Sequence, residues 1–353
     1  MSRESASSRS SIVAGDLEPH RTVPAPRVVP APPLTERILT RLPGPRAVWV
    51  GAWALVPWLN LAVVWAWDAG EWTTDGVPIG EVLNRAAVSL AVLLSIRGAE
   101  RIADGLRRLH PVLAEITEQQ QPDVARLFRG MDGVAVPLLI TAAVAAVLPA
   151  DEIGSGDAGA AAIQAVTWLV VGIPLGTAVW VYVTLQTGLD RLGRGHLTLQ
   201  PYRGDRSLGL RPVGRLAFTA FWMLFGIIGP LLLTGFTDLP GLILGGVVLV
   251  AGLVLFFVSL RRLNRSMVAV KQREQEWALA LYARAYEQLR DDASLQVLEQ
   301  QASLLSAAEG LEKRAEHIQE WPFDEAVFAR VVTIASSVAA VIIARLILDP
   351  VGL

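Results

Sequence analysis

The stretch PGLILGGVVLVAGLVLFFVSLRR, residues 240–262, carries no charged side chain before the two arginines that end it. A helix rises 1.5 Å per residue, so about 20 apolar residues cross the hydrocarbon core of a bilayer, which is about 30 Å thick. The whole chain of 353 residues has the same character, with 52% hydrophobic and 18% charged residues. Soluble domains contain about 25% charged residues. We therefore expect an all-α, polytopic integral membrane protein.

Seven segments have the length and composition of a spanning helix. Segment 81–97 is the least apolar, because it contains Asn84 and Arg85. Segment 326–348 contains Arg330 and Arg345, which lie near its ends, where long cationic side chains can reach water. The predicted spanning helices are 47–67, 81–97, 131–149, 161–187, 216–236, 240–262 and 326–348, so that 47–262 forms a membrane domain and 326–348 a seventh crossing.

The distribution of lysine and arginine predicts the orientation, because cytoplasmic loops carry an excess of these residues. With seven crossings and a cytoplasmic N-terminus, 28 of the 31 basic residues fall on the cytoplasmic side, and the outer loops contain acids but no lysine or arginine. If 81–97 did not cross, basic loops would face outward or an arginine-rich tail would need export. We therefore predict a multi-pass protein of the cell membrane (plasma or inner membrane) with its N-terminus in the cytoplasm and its C-terminus outside.

Three further cytoplasmic regions precede the sixth predicted crossing. Residues 1–46 are rich in serine, proline and arginine, which predicts a disordered tail with a short amphipathic helix at LTERILTRL, 34–42. Residues 98–130 predict an amphipathic helix whose apolar stripe needs a partner, most simply a helical hairpin at 266–320 of the same chain or of a neighbouring subunit, with the membrane surface as the other alternative. The basic loop 188–215 most simply keeps its side of the protein in the cytoplasm, and contact with anionic lipids or other anions is the alternative. The candidates for that contact are Arg203, Arg206, Arg211 and Arg215.

A cytoplasmic helical hairpin, 263–325, is predicted after the sixth crossing. The chain from Ser266 to Arg290 contains no glycine or proline, and a return limb runs from Leu295 to Glu320. Apolar residues at helical spacing predict a coiled-coil-like stalk. The predicted seam consists of Trp277, Leu281, Ala285 and Leu289 on one limb and Leu295, Leu298, Ala302 and Leu305 on the other.

Catalytic and metal-binding patterns are absent from the sequence. The chain has no cysteine, its four histidines make no metal-spaced pair, and it contains no His-Glu-x-x-His or Gly-x-Ser-x-Gly motif. The glycines of the basic loop do not match a phosphate-binding loop. The net charge of −2 gives no indication of nucleic-acid binding. We therefore expect no enzymatic activity, catalytic residue, metal or cofactor.

Polar side chains inside the predicted crossings form two stripes. Such stripes line water-filled pathways in transport proteins, and they also join neighbouring helices by hydrogen bonds. The pathway candidates are Gln164, Thr167, Thr177 and Thr184 on the fourth crossing and Arg330, Thr333, Ser336 and Ser337 on the seventh. Hinge candidates, where proline and glycine interrupt helices, are Pro174, Gly226, Gly229 and Pro230.

Two hypotheses about function follow from these patterns. The first is a homo-oligomeric channel or transporter of an ion or solute, in which the fourth, fifth and seventh helices surround the pathway and the stalk controls assembly or gating. The second is a membrane-anchored signalling or assembly scaffold, in which the hairpin and the basic loops bind a cytoplasmic protein partner. In both, the lipid bilayer is a partner of the chain, and anionic lipids are a candidate partner of its basic loop.

Overall fold

The computed structural model describes residues 32–67, 78–117, 126–147, 158–195, 197, 199, 206–232, 239–291, 295–323, 329–333, 336–337 and 340. These residues form an all-α fold and contain no strand. The helices are α1 (Leu34–Arg41), α2 (Arg46–Trp67), α3 (Ile79–Thr117), α4 (Ala135–Val147), α5 (Ala158–Leu192), α6 (Arg211–Pro230), α7 (Leu239–Asp291) and α8 (Leu295–Glu316).

Five helices, α2, α3, α5, α6 and α7, are long and apolar enough to cross a membrane. Helix α4 is apolar but shorter, with 13 residues, and it covers most of the third predicted crossing. Of the seventh predicted crossing, 326–348, only residues 329–333, 336–337 and 340 are described, and all of them are helical. The membrane class predicted from composition is therefore supported by five candidate spans.

Helix α5 is the central element of the bundle and packs against α1, α2, α3, α4, α6 and α7. Its contact with α4 is close because two glycines face that helix. A Cβ atom at Gly176 would lie 2.6 Å from the carbonyl oxygen of Pro137, and one at Gly172 would lie 2.9 Å from Cγ2 of Thr141. Small residues that let two backbones approach are typical of helix packing in membranes.

Helix α3 combines two regions that the sequence suggested as separate elements, the crossing 81–97 and the amphipathic helix 98–130. It continues unbroken to Thr117, because its buried face runs on from Ile96 through Ile102 and Leu106 to Leu113. That apolar stripe packs in the same chain against α6, where a Cβ at Gly105 would lie 2.6 Å from Cδ1 of Leu216. Packing against α6 favours the alternative in which the stripe finds its partner in the same chain. That partner is α6 and not the hairpin, which the sequence favoured as the simplest partner.

Ion pairs join the basic ends of the helices. Arg46 at the start of α2 lies 2.9 Å from Glu100 of α3, and Arg262 of α7 lies 3.2 Å from Asp190 of α5. Helix α1, inside the segment predicted as a disordered tail, buries Leu34, Thr35 and Leu39. Residues 1–31 of that tail lie outside the described residues.

The C-terminal part of α7 packs along α8 as an antiparallel pair, so this region forms a helical hairpin. Its contact consists largely of alanines seven residues apart, namely Ala278 and Ala285 on α7 and Ala308 and Ala315 on α8, each at most 2% exposed. Beside them Gln301 Nε2 donates a hydrogen bond of 2.5 Å to Gln288 Oε1.

The seam predicted for this hairpin is wrong at two residues, whereas Leu281, Leu289 and Leu305 are half-buried, and the side chains of Leu295 and Leu298 lie outside the described part of the chain. Ala285 is buried, but Trp277 is 46% exposed and Ala302 is also exposed. The reason is that alanine side chains allow the two backbones to approach closely, and the close approach leaves no room between the helices for a larger side chain. At the hairpin surface Lys313 donates a hydrogen bond of 2.7 Å to Glu309, which lowers the pKa of that carboxyl.

Candidate functional site

A polar contact joins α5 and α7 inside the bundle. Tyr182 Oη donates a hydrogen bond of 2.6 Å to the carbonyl oxygen of Gly252, and Ser259 Oγ donates one of 2.5 Å to Gln186 Oε1. Tyr182 and Gln186 are four residues apart on α5, and Gly252 and Ser259 are seven apart on α7, so each pair lies on one face of its helix. The side chains of Tyr182, Gln186 and Ser259 are at most 1% exposed.

The close packing of α6 and α7 helps to bring the hydrogen-bonding groups of α5 and α7 together. Gly252 has no side chain, and a Cβ placed there would overlap Leu224 of α6, so its absence lets α6 and α7 pack closely. Phe256 fills the space between the two hydrogen bonds and is fully buried. The arrangement therefore fastens two membrane helices to each other without leaving an opening between them.

One buried hydroxyl in this interior, Oγ1 of Thr184, has no hydrogen-bond partner among the described residues. Gln186 has two neighbours to bond, because it accepts from Ser259 and its side chain also meets that of Tyr182. Thr184 is a residue that the sequence suggested as part of a pathway. A buried hydroxyl without a partner costs about 1–3 kcal/mol.

The other predicted polar residues of α5 form hydrogen bonds within or between helices. Thr177 Oγ1 donates 2.7 Å to the carbonyl of Ile173, and Thr167 Oγ1 accepts 2.8 Å from Asn60 Nδ2 of α2. Gln164 is half-buried. Asn60 lies on the floor of an apolar groove of about 400 Å³ between α2 and α5, and its Oδ1 is buried without a partner.

The polar stripe of the seventh predicted crossing is exposed, in contrast to the polar residues of α5. Arg330, Thr333, Ser336 and Ser337 are all exposed. Each hydroxyl donates to the carbonyl four residues earlier: Thr333 to Ala329, Ser336 to Val332 and Ser337 to Thr333, at 2.8–2.9 Å. The stripe of α5 lies in the interior and that of the seventh crossing on the outside, so the structure does not bring the two together within one chain.

The hinge candidates occupy two different environments. Pro174 is buried in the middle of α5, which continues through it. Gly226 and Gly229 lie in the last turns of α6, which ends at Pro230. The hinge interpretation stays a prediction for all four positions.

The basic-loop candidates are also separated. Arg206 borders a cavity at the base of the hairpin. Arg211 begins α6, and Arg215 is exposed one turn later. Arg203 lies outside the described residues.

Sequence reasoning missed Tyr182, Gln186 and Ser259 as a group. Their spacings of four and seven were visible in the sequence, but the faces that α5 and α7 present to each other were not. Among the described residues, no three His, Asp or Glu side chains lie together in a way that would hold a metal ion.

No protein-family model, curated protein or solved structure matches this chain. What the protein does is therefore inferred from its own residues.

The Gln186–Ser259 hydrogen bond is expected to stabilise the folded protein modestly. Hydrogen bonds between membrane helices contribute about 0.6 kcal/mol on average, so Gln186→Leu and Ser259→Ala should show a coupling energy near that value. The measurement is a double-mutant cycle of unfolding free energies in mixed micelles. Thr187→Ala is the matched control, because Thr187 Oγ1 bonds only its own helix and should be additive with Gln186→Leu.

Proposed function

We propose that the protein is a multi-pass membrane channel or transporter, built from several copies of the chain, with its pathway between the copies. The supporting observation is the exposed polar stripe of Arg330, Thr333, Ser336 and Ser337. Polar residues in a membrane segment almost always face a bundle interior or a water-filled cavity. In this chain the stripe faces away from the helices of its own bundle, so a neighbouring copy is the simplest source of that interior.

The hydroxyl groups of the stripe suit a pathway for an ion or a small polar solute. Because Thr333 and Ser337 donate their protons to their own helix, their oxygen lone pairs remain available to a passing cation or to water. The guanidinium of Arg330 lies one turn before Thr333 and places a fixed positive charge near one end of the stripe. The proposal assigns no enzymatic role to any residue.

The chain is well suited to a direct test, because it contains no cysteine. Single cysteines at 333 and 337 are expected to react with membrane-impermeant thiol reagents in the assembled protein, and modification should reduce the flux of ions or solutes through reconstituted vesicles by at least about tenfold. The matched control is Val331→Cys, since Val331 is 1% exposed and packs in the core of its own chain, and it should react little. Equal reactivity at 331, 333 and 337, or the absence of any flux, would reject the pathway.

A second candidate function, a membrane-anchored scaffold for a cytoplasmic protein, is favoured by the surface of the hairpin. Four large apolar side chains are exposed there, with Trp277 at 46%, Leu279 at 58%, Tyr286 at 71% and Leu304 at 42%. Aromatic side chains are enriched in protein–protein interfaces relative to the rest of a protein surface.

The two proposed functions predict different effects of substitutions on the hairpin surface. If the protein is a scaffold, the double variant Trp277→Ser with Tyr286→Ser should no longer be cross-linked to a cytoplasmic partner. Reconstituted vesicles should then show no flux of ions or solutes, with or without these substitutions. In a channel, the same variant should keep its flux, while Thr333→Leu with Ser337→Leu should lose it.

A further inference from the structure

A cavity of about 590 Å³ lies at the base of the hairpin, where the chain leaves α8 and returns toward the membrane helices. Its walls come from α7, from the residues before α6 and from the segment that follows α8. The lining includes two cations, two carboxylates and two aromatic rings: Arg206, Lys271, Glu316, Glu320, Trp321 and Phe323.

The aromatic end of the cavity lies at the level of the membrane helices. Phe323 stacks on Phe256 with ring centroids 6.1 Å apart, and Trp321 meets Phe257 edge to face at 6.4 Å. Phe256 and Phe257 belong to the apolar run that ends at Arg261. Aromatic rings at this position are typical of the boundary between acyl chains and headgroups.

The polar end lies farther along α7, away from the bilayer. Asn264 Nδ2 donates 2.8 Å to the carbonyl oxygen of Glu320, and Lys271 Nζ lies 3.1 Å from the Glu320 carboxylate. Arg206 is held at this level because its carbonyl oxygen accepts a 2.8 Å hydrogen bond from the backbone of Gln319. Glu316 is the last residue of α8, and Glu320 lies in the segment that follows it.

The four charged groups at this end comprise one ion pair and two groups that form no ion pair. Lys271 and Glu320 neutralise each other. The guanidinium of Arg206 and the carboxylate of Glu316 form no ion pair among the residues that the structure describes, and the nearby charge that acts with Glu316 is that of Lys313 on the same helix. The cavity lining therefore combines aromatic rings with one cation and one anion that stand outside the Lys271–Glu320 pair.

We propose that this cavity binds the headgroup of a zwitterionic aminophospholipid. The phosphate accepts hydrogen bonds from Arg206, whose planar guanidinium matches phosphate oxygens. The protonated amine, which extends beyond the phosphate, pairs with Glu316. Trp321 and Phe323 contact the glycerol and the start of the acyl chains. A headgroup without an amine would pair its phosphate with Arg206 but would leave the Glu316 carboxylate without a hydrogen-bond donor, and so the two charged groups together select an amine-bearing lipid.

The test is native mass spectrometry of the full chain in detergent, titrated with phosphatidylethanolamine, phosphatidylglycerol or phosphatidylcholine. Phosphatidylethanolamine is expected to occupy one site about tenfold more tightly than the other two lipids, because a charge-assisted hydrogen bond contributes 1.5–3 kcal/mol and 1.4 kcal/mol is a factor of about ten. Arg206→Gln should weaken all phospholipids, whereas Glu316→Gln should weaken phosphatidylethanolamine alone. Arg265→Gln and Glu276→Gln, at exposed positions of α7 outside the cavity, serve as matched controls and should bind as the parent chain does.

Three results would overturn the proposal. Equal affinity for phosphatidylglycerol would mean that the cavity recognises phosphate without an amine. Unchanged binding by Arg206→Gln and Glu316→Gln would place the lipid elsewhere on the protein. Soluble phosphoethanolamine that binds as tightly as the lipid would identify a free solute, and not a bilayer component, as the ligand.

Discussion

Gly214→Ala is expected to destabilise the protein by about 2–3 kcal/mol and to release the segment after α8 from the membrane domain. A Cβ atom at Gly214 would overlap the carbonyl group of Pro322 and lie 3.3 Å from its Cβ. The obstruction is a backbone group, which cannot rotate away as a flexible side chain can. Added atoms in a packed contact cost about 1–3 kcal/mol, so either α6 or the segment Ile318–Phe323 has to move.

The measurement compares the unfolding midpoint in mixed micelles and protease cleavage between α8 and the seventh crossing. Gly51→Ala and Gly310→Ala are matched controls, because a Cβ at either position meets nothing within 4 Å. Alanine is preferred over glycine inside a helix by about 1 kcal/mol, so both controls should be unchanged or stabilised. A Gly214→Ala protein as stable and as protease-resistant as the controls would show that Pro322 does not pack against α6.

Phe256→Ala is expected to have the largest effect of any single substitution considered for this chain, about 3–4 kcal/mol of lost stability. Phe256 is fully buried and its ring contacts Phe221 of α6 at 5.2 Å, Phe257 at 5.3 Å and Phe323 at 6.1 Å between centroids. Removal of a buried phenylalanine side chain costs about 3–5 kcal/mol, since the cavity that remains closes only in part.

The matched control is Val258→Ala, two residues later on the same helix and 51% exposed, which should cost less than about 1 kcal/mol. The unfolding free energies of the two variants are compared in the same detergent. Because Phe256 connects α6 with the segment after α8, Phe256→Ala should also increase cleavage near Trp321. A loss of stability no larger than that of Val258→Ala would contradict the central position of this ring.

Length and hydropathy predicted α2, α5, α6 and α7 well, because the thickness of a bilayer dictates how many apolar residues a crossing needs. The same criteria divided α3 in two, since they detect the change from apolar to charged composition after Arg97 but not the buried face that runs through it. Ala91, Ile96 and Leu106 are buried along it, and α6 packs against α3 on both sides of Arg97, with Leu94 near Gly226 and Gly105 near Leu216.

The sequence predicted polar residues inside an apolar helix, but it did not predict which of them make the contact between α5 and α7. Thr177 and Thr184 were correctly placed inside a crossing, yet Gln186 makes the contact with α7, and only the packing of the two helices reveals it. The hairpin illustrates the same limit. Hydrophobic periodicity selects leucine and tryptophan as the contact residues. The actual contact uses Ala278 and Ala308, because their small side chains let the two helices approach closely.

Helix α7 also has a mechanical consequence. It contains 53 residues without a break, so it is a rod of about 80 Å, of which the first part is apolar enough to cross a membrane. The portion beyond Arg262 extends about 43 Å at 1.5 Å per residue. A tilt of about 5° within the bilayer therefore swings the far end by about 4 Å, the width of a side chain. Changes in bilayer thickness or lateral tension that tilt this helix would thus be amplified into movements large enough to make or break contacts at the tip.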